Sequence, residues 1–467
     1  PTTFDFTGDA TGTIGDDGTI TVPDLVPGTY TSTETVPAGW VLTDISCDDG
    51  NSSGDTGTGI ATFNVEAGET VRCTFTNTKL ATLTIAKVTD PVDSGADSFD
   101  FDAPSTGMSN FTLDTDADDA TYPSERTFTF GADFGLKNIR EAATTGWALT
   151  DITCVGGTNT ATAPGLVTVD IQPGDAVTCT YTNTKLATIT IEKTSDPAGG
   201  TGFGFTATPP SGESATFTLD DGGSQPFGSL PPNETYDFAE TGLPTTDPAW
   251  ELTDISCLGT DGAVVDLPNA SVAVTPLPGE DITCTFSNTQ LGRIIVEKQT
   301  DPDNHPQQFT FTGAAADTIG DGQQIVVTDL PAGSYTSTEI VPDGWVLGDI
   351  SCDDDDSSGD LDTATATFNV ASGETVTCTF ENWALSVIVV NKITDPSPDP
   401  TGTAFDFVTN AGPDFSLANG ETEVITDLDA GPYSVTEDTP HGWALSSATC
   451  DNGDTPDEIV LGSGEVV

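Results

Sequence analysis

The sequence predicts an all-β protein, a row of small β-sandwiches strung in tandem along 467 residues. Three observations carry that prediction. Short alternating runs of apolar and polar residues are separated by turn residues, with 49 glycines and 31 prolines, and no long amphipathic helical pattern is evident. One block of roughly 100 residues returns along the chain. Cysteines follow the blocks, two to each of the first four copies, about 26 residues apart.

The repeats fix the order of elements. "GTYTSTETVPAGWVLTDISC" at Gly28 to Cys47 returns as "GSYTSTEIVPDGWVLGDISC" at Gly333 to Cys352. Looser copies are "LKNIREAATTGWALTDITC", "ETYDFAETGLPTTDPAWELTDISC" and "GPYSVTEDTPHGWALSSATC". Trp40, Trp147, Trp250, Trp345 and Trp443 mark five copies, spaced by 95 to 107 residues.

Each unit reads as an opening strand ending in Lys, then a "TDP" or "SDP" turn, then "FDF" or a relative. One or two middle strands follow, then a Tyr…Glu strand, a Trp strand, a "TATFNV" strand and a closing "VTCTFTN" strand. Alternating β-branched and aromatic residues suit a half-buried pleated strand, and Asp-Pro stops one. About seven or eight short strands make a small sandwich of immunoglobulin-like or prealbumin-like architecture. The units are expected at 1–79, 80–185, 186–290, 291–384 and 385–467. Only "TKLA", "TKLA", "TQLG" and "WALS" join them, which predicts a semi-rigid rod of beads. The first unit begins at "PTTFDF" without a Lys strand, and the last stops at "LGSGEVV" before a closing Cys…Asn strand. The expectation is a piece of a longer protein, or a subunit whose end units a neighbour completes by strand donation.

Nine cysteines fall into pairs once laid on the repeats: Cys47 with Cys73, Cys154 with Cys179, Cys257 with Cys284, and Cys352 with Cys378. Cys450 is left over. Even pairing argues for disulfides and an oxidising, extracellular or cell-surface location. Loops of this size stabilise by roughly 3 to 4 kcal/mol on the chain-entropy account. Buried free thiols are the competing reading; zinc would need further ligands.

Composition narrows the partners. With 74 acidic against 11 basic residues the formal charge is −63, concentrated in loops such as "CDDGNSSGDTG" and "CDDDDSSGD". Self-repulsion argues against nucleic acid or an anionic membrane surface. A high-salt habitat or loosely held cations would relieve it. The longest purely apolar run is "VIVV", Val387 to Val390, so no segment here is expected to span a membrane, and no secretion signal is visible. Expected partners are neighbouring copies of the chain or further repeats of the same protein.

Against that acidity, the placement of lysine stands out. In the opening strands Lys87 shares a face with Leu83 and Ile85, Lys193 with Ile189 and Ile191, Lys298 with Ile294 and Val296, and Lys392 with Ile388 and Val390. Four of the seven lysines occupy this one inward slot. In the closing strands Asn77, Asn183, Asn288 and Asn382 lie on the face of the cysteine and the aromatic residue. A third polar group, Glu34, Glu141, Glu240, Glu339 or Glu437, shares the face of the Tyr-strand residues, with Lys137 replacing the tyrosine in the second unit.

Lys, Glu and Asn aimed at one small core have a chemistry available. A desolvated lysine is driven towards its neutral, nucleophilic form. Its amine can attack the asparagine carboxamide while a buried, protonated glutamate holds the carbonyl and shuttles the proton. Ammonia leaves and an amide cross-link remains. The competing reading is a buried Lys–Glu ion pair with the asparagine hydrogen-bonded beside it.

An opening-strand Lys, the motif "Y-x-x-x-E-x-x-P-x-G-[WY]" (here "YTSTETVPAGW" and "YTSTEIVPDGW") and a terminal strand ending in Asn resemble CnaB or SpaA-type prealbumin-like domains. Those domains belong to surface adhesins, pilins and stalk proteins of Gram-positive-type bacteria. The resemblance implies an intramolecular isopeptide bond between Lys and Asn, catalysed by Glu. Carried over by position it implies Lys87 to Asn183 with Glu141, Lys193 to Asn288 with Glu240, and Lys298 to Asn382 with Glu339. The first unit keeps Glu34 and Asn77, and the last keeps Lys392 and Glu437; their partners would lie outside the chain. The core disulfide departs from the best-known members of the family.

Weaker patterns are set aside. "DTDADDATYPSE" places Asp114, Asp116, Asp118 and Glu125 at calcium-loop spacing, but Asp119 stands where the turn glycine belongs, which favours a solvated acidic loop. No cofactor is expected, and calcium has only weak support from this loop. "GNSSG" matches a nucleophile elbow without a partner histidine motif, and His305 and His441 match no site spacing. Asn51, Asn110, Asn233 and Asn269 sit in acceptor sequons. The expected function is structural, a stalk, fibre or filament. The alternative is an adhesin binding a host, matrix or cation-bridged ligand. No enzyme acting on other molecules is expected.

Overall fold

A computed structural model describes residues 2–92, 97–115 and 121–467, with residues 159–163 described by backbone alone. The chain is all-β. Among the described residues the single helical element is the 3-10 turn Leu267–Asn269.

The second unit shows the plan. A four-stranded sheet runs in the order Glu125–Phe130, opening strand Ala81–Asp90, closing strand Ala176–Lys185, Trp strand Trp147–Val155. A five-stranded sheet holds Phe111–Leu113, Phe99–Asp102, the Glu strand Gly135–Glu141, Leu166–Ile171 and Thr158–Ala163. Short edge strands such as Phe111–Leu113 take the count past eight; three residues are too few to show a period of two. The same pair of sheets recurs around the opening strands Ala187–Asp196 and Gly292–Asp301 and the closing strands Asp281–Gln290 and Thr375–Ala384.

The opening and closing strands are adjacent and parallel, whereas their other neighbours are antiparallel. Along Ala81–Asp90 alternate residues Ala81, Leu83, Ile85 and Lys87 are buried, as a strand with one covered face requires. The register sets Lys87 opposite Tyr181 and Thr89 opposite Asn183. The same offset sets Lys193 opposite Phe286 with Ser195 opposite Asn288, and Lys298 opposite Phe380 with Thr300 opposite Asn382. Each Asn therefore lies one diagonal step from its Lys on the inward face, within reach of a long side chain.

Aromatic and aliphatic residues from both sheets fill each sandwich; in the fourth unit the core includes Ile294, Val296, Phe309, Phe311, Phe368 and Phe380. Disulfides join Cys47–Cys73, Cys154–Cys179, Cys257–Cys284 and Cys352–Cys378. Each pair is directly opposed between the Trp strand and the closing strand, so the staple lies within one sheet and does not cross the sandwich. Cys450 is free and half-buried.

Successive units touch just past the lysine turn. Ser372 Oγ donates to Asp196 Oδ2 at 2.8 Å and Gly373 N to the Gln290 carbonyl at 2.9 Å. One unit further on, Ser463 Oγ donates to the Asp301 carbonyl at 2.6 Å and Gly464 N to the Ala384 carbonyl at 2.9 Å.

Candidate cross-linking site

Three elements converge on each lysine. The opening strand supplies Lys and the neighbouring closing strand supplies Asn. The Glu strand of the facing sheet supplies the carboxyl. Lys193 and Lys298 are fully buried and Lys87 nearly so, and Glu141, Glu240, Glu339, Asn183, Asn288 and Asn382 are buried with them.

Hydrogen bonding differs between units. In the second, Asn183 Nδ2 donates to Glu141 Oε1 and Lys87 Nζ lies 3.9 Å from Glu141 Oε2. In the third, Asn288 Nδ2 donates to Glu240 Oε2 at 2.8 Å. In the fourth, the amide turns its carbonyl to the amine, and Lys298 Nζ donates to Asn382 Oδ1 at 2.8 Å. The remaining Lys protons go to backbone carbonyls: Val88 and Tyr181 for Lys87, Thr194 and Phe286 for Lys193, Gln299 and Phe380 for Lys298.

Several buried polar atoms are left without a hydrogen-bond partner among the described residues. They include Asn183 Oδ1, Asn288 Oδ1, Glu240 Oε1, Asn382 Nδ2 and both Glu339 oxygens. Orphaned groups of this kind are costly and mark strain or chemistry.

Electrostatics follows from burial. Desolvation lowers Lys87, Lys193 and Lys298 to about 8, against an opposing pull from the nearby Glu charge. Desolvation raises Glu141 and Glu240 and brings Glu339 up to about 7, opposed by the lysine charges and, at Glu141 and Glu240, by the asparagine hydrogen bond. Between Glu339 and Lys298 the gap shrinks from the ordinary six pH units to about one. Burial thus favours the neutral forms of both groups, the amine as nucleophile and the carboxyl as acid.

The end units hold parts of the same set. Asn77 Nδ2 donates to Glu34 Oε1 at 2.7 Å, while burial pushes Glu34 up. Lys392 Nζ meets Glu437 Oε2 at 2.7 Å.

Two features escaped the sequence reading. Every inward lysine lies over a phenylalanine ring, Phe99, Phe203, Phe309 or Phe405, at 3.8 to 4.3 Å from the centroid. The signal was the first aromatic of the recurring "F-x-F" after the Asp-Pro turn, read there only as a strand. The second is the turn clamp: Asp221 accepts from Ser195 N and Gly199 N, and Asp321 from Thr300 N and Asn304 N, at 2.7 to 2.9 Å.

Lys137 has a separate role. Tyr30, Tyr335 and Tyr433 each donate a hydroxyl to the carbonyl four residues back, and Lys137 Nζ does the same to Asp133, with a second bond to Thr106 O at 2.7 Å. It substitutes for the tyrosine as a donor and takes no part in the Lys–Glu–Asn set.

The calcium-spaced loop is only partly in view. Asp116 and Asp118 lie outside the described residues; Asp114 is buried and Glu125 begins an exposed strand end. Among the described residues no group of three or more His, Cys, Asp or Glu is placed to hold a metal ion, and no helix is long and apolar enough to cross a membrane.

Comparison with known proteins matches residues 1–79, 83–185, 189–290 and 294–384 to a family described as a prealbumin-like fold domain. No curated protein matches the chain. Among solved structures the chain is similar to the Bacillus anthracis TIE protein, at 13% identity over 93% of this chain and 74% of that one, TM-score 0.29. It is also similar to BcpA, the major pilin subunit of Bacillus cereus, at 13% identity over 59% and 93%, TM-score 0.26. A third is a Mobiluncus mulieris adhesin described as containing intramolecular disulfide, isopeptide and ester bond cross-links, at 12% identity over 56% and 91%, TM-score 0.18. Likenesses this distant carry no weight for function.

Proposed function

The chain belongs to the family of prealbumin-like fold domains, and we propose that it is an extracellular structural protein, a stalk, fibre or filament. In this reading the five units of the rod are those bounded at residues 79, 185, 290 and 384. Disulfides and self-formed Lys–Asn isopeptide bonds staple them, and the chain acts on itself and on no other substrate.

The observation that carries the reading is the fourth unit's fully buried amine, 2.8 Å from the carboxamide oxygen of Asn382 and facing a carboxyl held near pH 7. The reaction it supports is balanced. Neutral Lys298 Nζ attacks Asn382 Cγ, and protonated Glu339 donates to Oδ1 as the tetrahedral centre forms. Glu339 then carries the surplus Nζ proton to Nδ2. The Cγ–Nδ2 bond breaks as the Oδ1 proton returns to Glu339, ammonia leaves, and a secondary amide joins the strands. Held reactants need no further ordering, which accounts for reaction without a separate enzyme. Equivalent roles fall to Lys87, Glu141 and Asn183, and to Lys193, Glu240 and Asn288.

The mechanical purpose follows from the topology. Opening and closing strands are parallel neighbours, so pulling the two ends of a unit shears one against the other. An amide bond between them takes the tension in place of a ladder of hydrogen bonds.

Intact mass of the reduced chain tests the proposal. Three linked units should lie about 51 Da below the sequence mass, about 17 Da for each ammonia. A mass equal to the sequence value rejects the cross-links and leaves a disulfide-stapled sandwich array.

A further inference from the structure

The outer face of the fourth unit departs from its sisters at three touching positions. In the first three units a threonine sits in the bulge of the Trp strand: Thr43, Thr150 and Thr253. Each donates to a closing-strand carbonyl, of Thr76, Thr182 or Ser287, at 2.9 to 3.1 Å. Each also meets the hydroxyl of Thr78, Thr184 or Thr289 at 3.0 to 3.3 Å. In the fourth unit the corresponding residues are Gly348, Glu381 and Trp383, and both hydrogen bonds are given up.

The replacement is a flat indole on a glycine. A Cβ at Gly348 would lie 2.6, 2.7 and 2.9 Å from Cε2, Cζ2 and Cδ2 of Trp383. Near-equal distances to three consecutively bonded ring atoms mean that the ring covers Gly348 with its face. Its other face is turned to solvent, and Trp383 is 44% exposed. The five tryptophans of the repeating slot are all buried or half-buried.

The surroundings are acidic. Glu381 accepts from Trp383 Nε1 at 3.5 Å, and strand register sets Asp301 beside Trp383 and Gln299 beside Glu381. Glu297 follows on the same outward face. An aromatic face carries negative potential and attracts cations, and neighbouring carboxylates reinforce it. With 74 acidic residues against 11 basic ones, the rest of the chain favours the same sign of ligand.

We infer that the Trp383 platform is a docking site for a cationic side chain, arginine or lysine, presented by a basic partner protein. Neither the stalk reading nor the cross-links are needed for it.

The test titrates the full chain with acetyl-Gly-Arg-Gly-amide, with affinity read by calorimetry in every protein and indole fluorescence followed in the wild type. The comparison is the double variant G348T/W383T, which restores the threonine pair of the sister units. Net charge is unchanged, so diffuse attraction to the chain is the same in both. The wild type should bind about two- to fivefold more tightly, the range of an exposed cation–π contact. Should the double variant misfold, Trp383→Phe and Trp383→Ala at unchanged Gly348 replace it, with Phe retaining more affinity than Ala. Equal affinity across these proteins overturns the inference. So does a fluorescence response to a neutral oligosaccharide, cellotetraose, with none to the peptide.

Discussion

Lys298 and Asn382 stand on adjacent parallel strands, one diagonal step apart, with amine and carboxamide oxygen 2.8 Å from each other in a fully buried site. Neither residue could be replaced by its neighbour in sequence. A shift of one residue in either strand would turn the polar group to the outer face.

Removing the carboxyl should stop the reaction. Glu339→Ala is expected to leave the fourth unit unlinked, so that its intact mass lies about 17 Da above the value for the same variant with all three units linked. Peptide mapping should recover Lys298 and Asn382 unmodified while the other two pairs remain joined. An undiminished cross-link in this variant would remove Glu339 from the mechanism.

The rate should depend on pH as a bell. Protonated Glu339 is lost as pH rises through about 7, and neutral Lys298 is lost as pH falls through about 8. Linking after refolding from denaturant should be fastest between those limbs, whose apparent values belong to the pair. Quenched samples weighed at intervals would measure it. A rate rising steadily to pH 10 would exclude the acid role of Glu339.

Unlinked lysine should also register in stability. The folded value of Lys298, about 8, lies below its ordinary 10.5, so the folded state binds the proton less tightly than the unfolded one. In Glu339→Gln the stabilising contribution is therefore fully present above about 10.5 and lost as pH falls through the folded value. Urea melts should show stability rising from pH 8 to pH 10, and Lys298→Met in the same background should abolish that slope.

Under tension the cross-linked units should not lengthen. The 84-residue separation between Lys298 and Asn382 would release at most about 290 Å on full extension, and the amide bond should hide nearly all of it. Force spectroscopy of the reduced chain should show one more step of this length after Lys298→Met than before it, the unlinked end units lengthening in both. An unchanged number of steps would mean that tension bypasses the proposed bond.

The disulfide is a separate staple. Replacing Cys352 and Cys378 by serine opens a loop of 26 residues, and the chain-entropy account gives a loss of about 3.5 kcal/mol. Denaturant unfolding of an unlinked variant would read it directly.

The sequence alone determined the β class, the recurrence of one block along the chain, the cysteine pairing and the inward parity of Lys87, Lys193 and Lys298. All of these are periodic or local: a period of two fixes a face, and recurrence aligns equivalent residues. Tertiary structure decided which strands are neighbours, that the first and last of a unit run parallel, and which aromatic ring lies beneath each amine. It also put Lys137 in the place of a tyrosine donor and laid Trp383 flat on Gly348. Strand pairing joins residues 80 to 100 positions apart, and no local pattern encodes the partner across that distance.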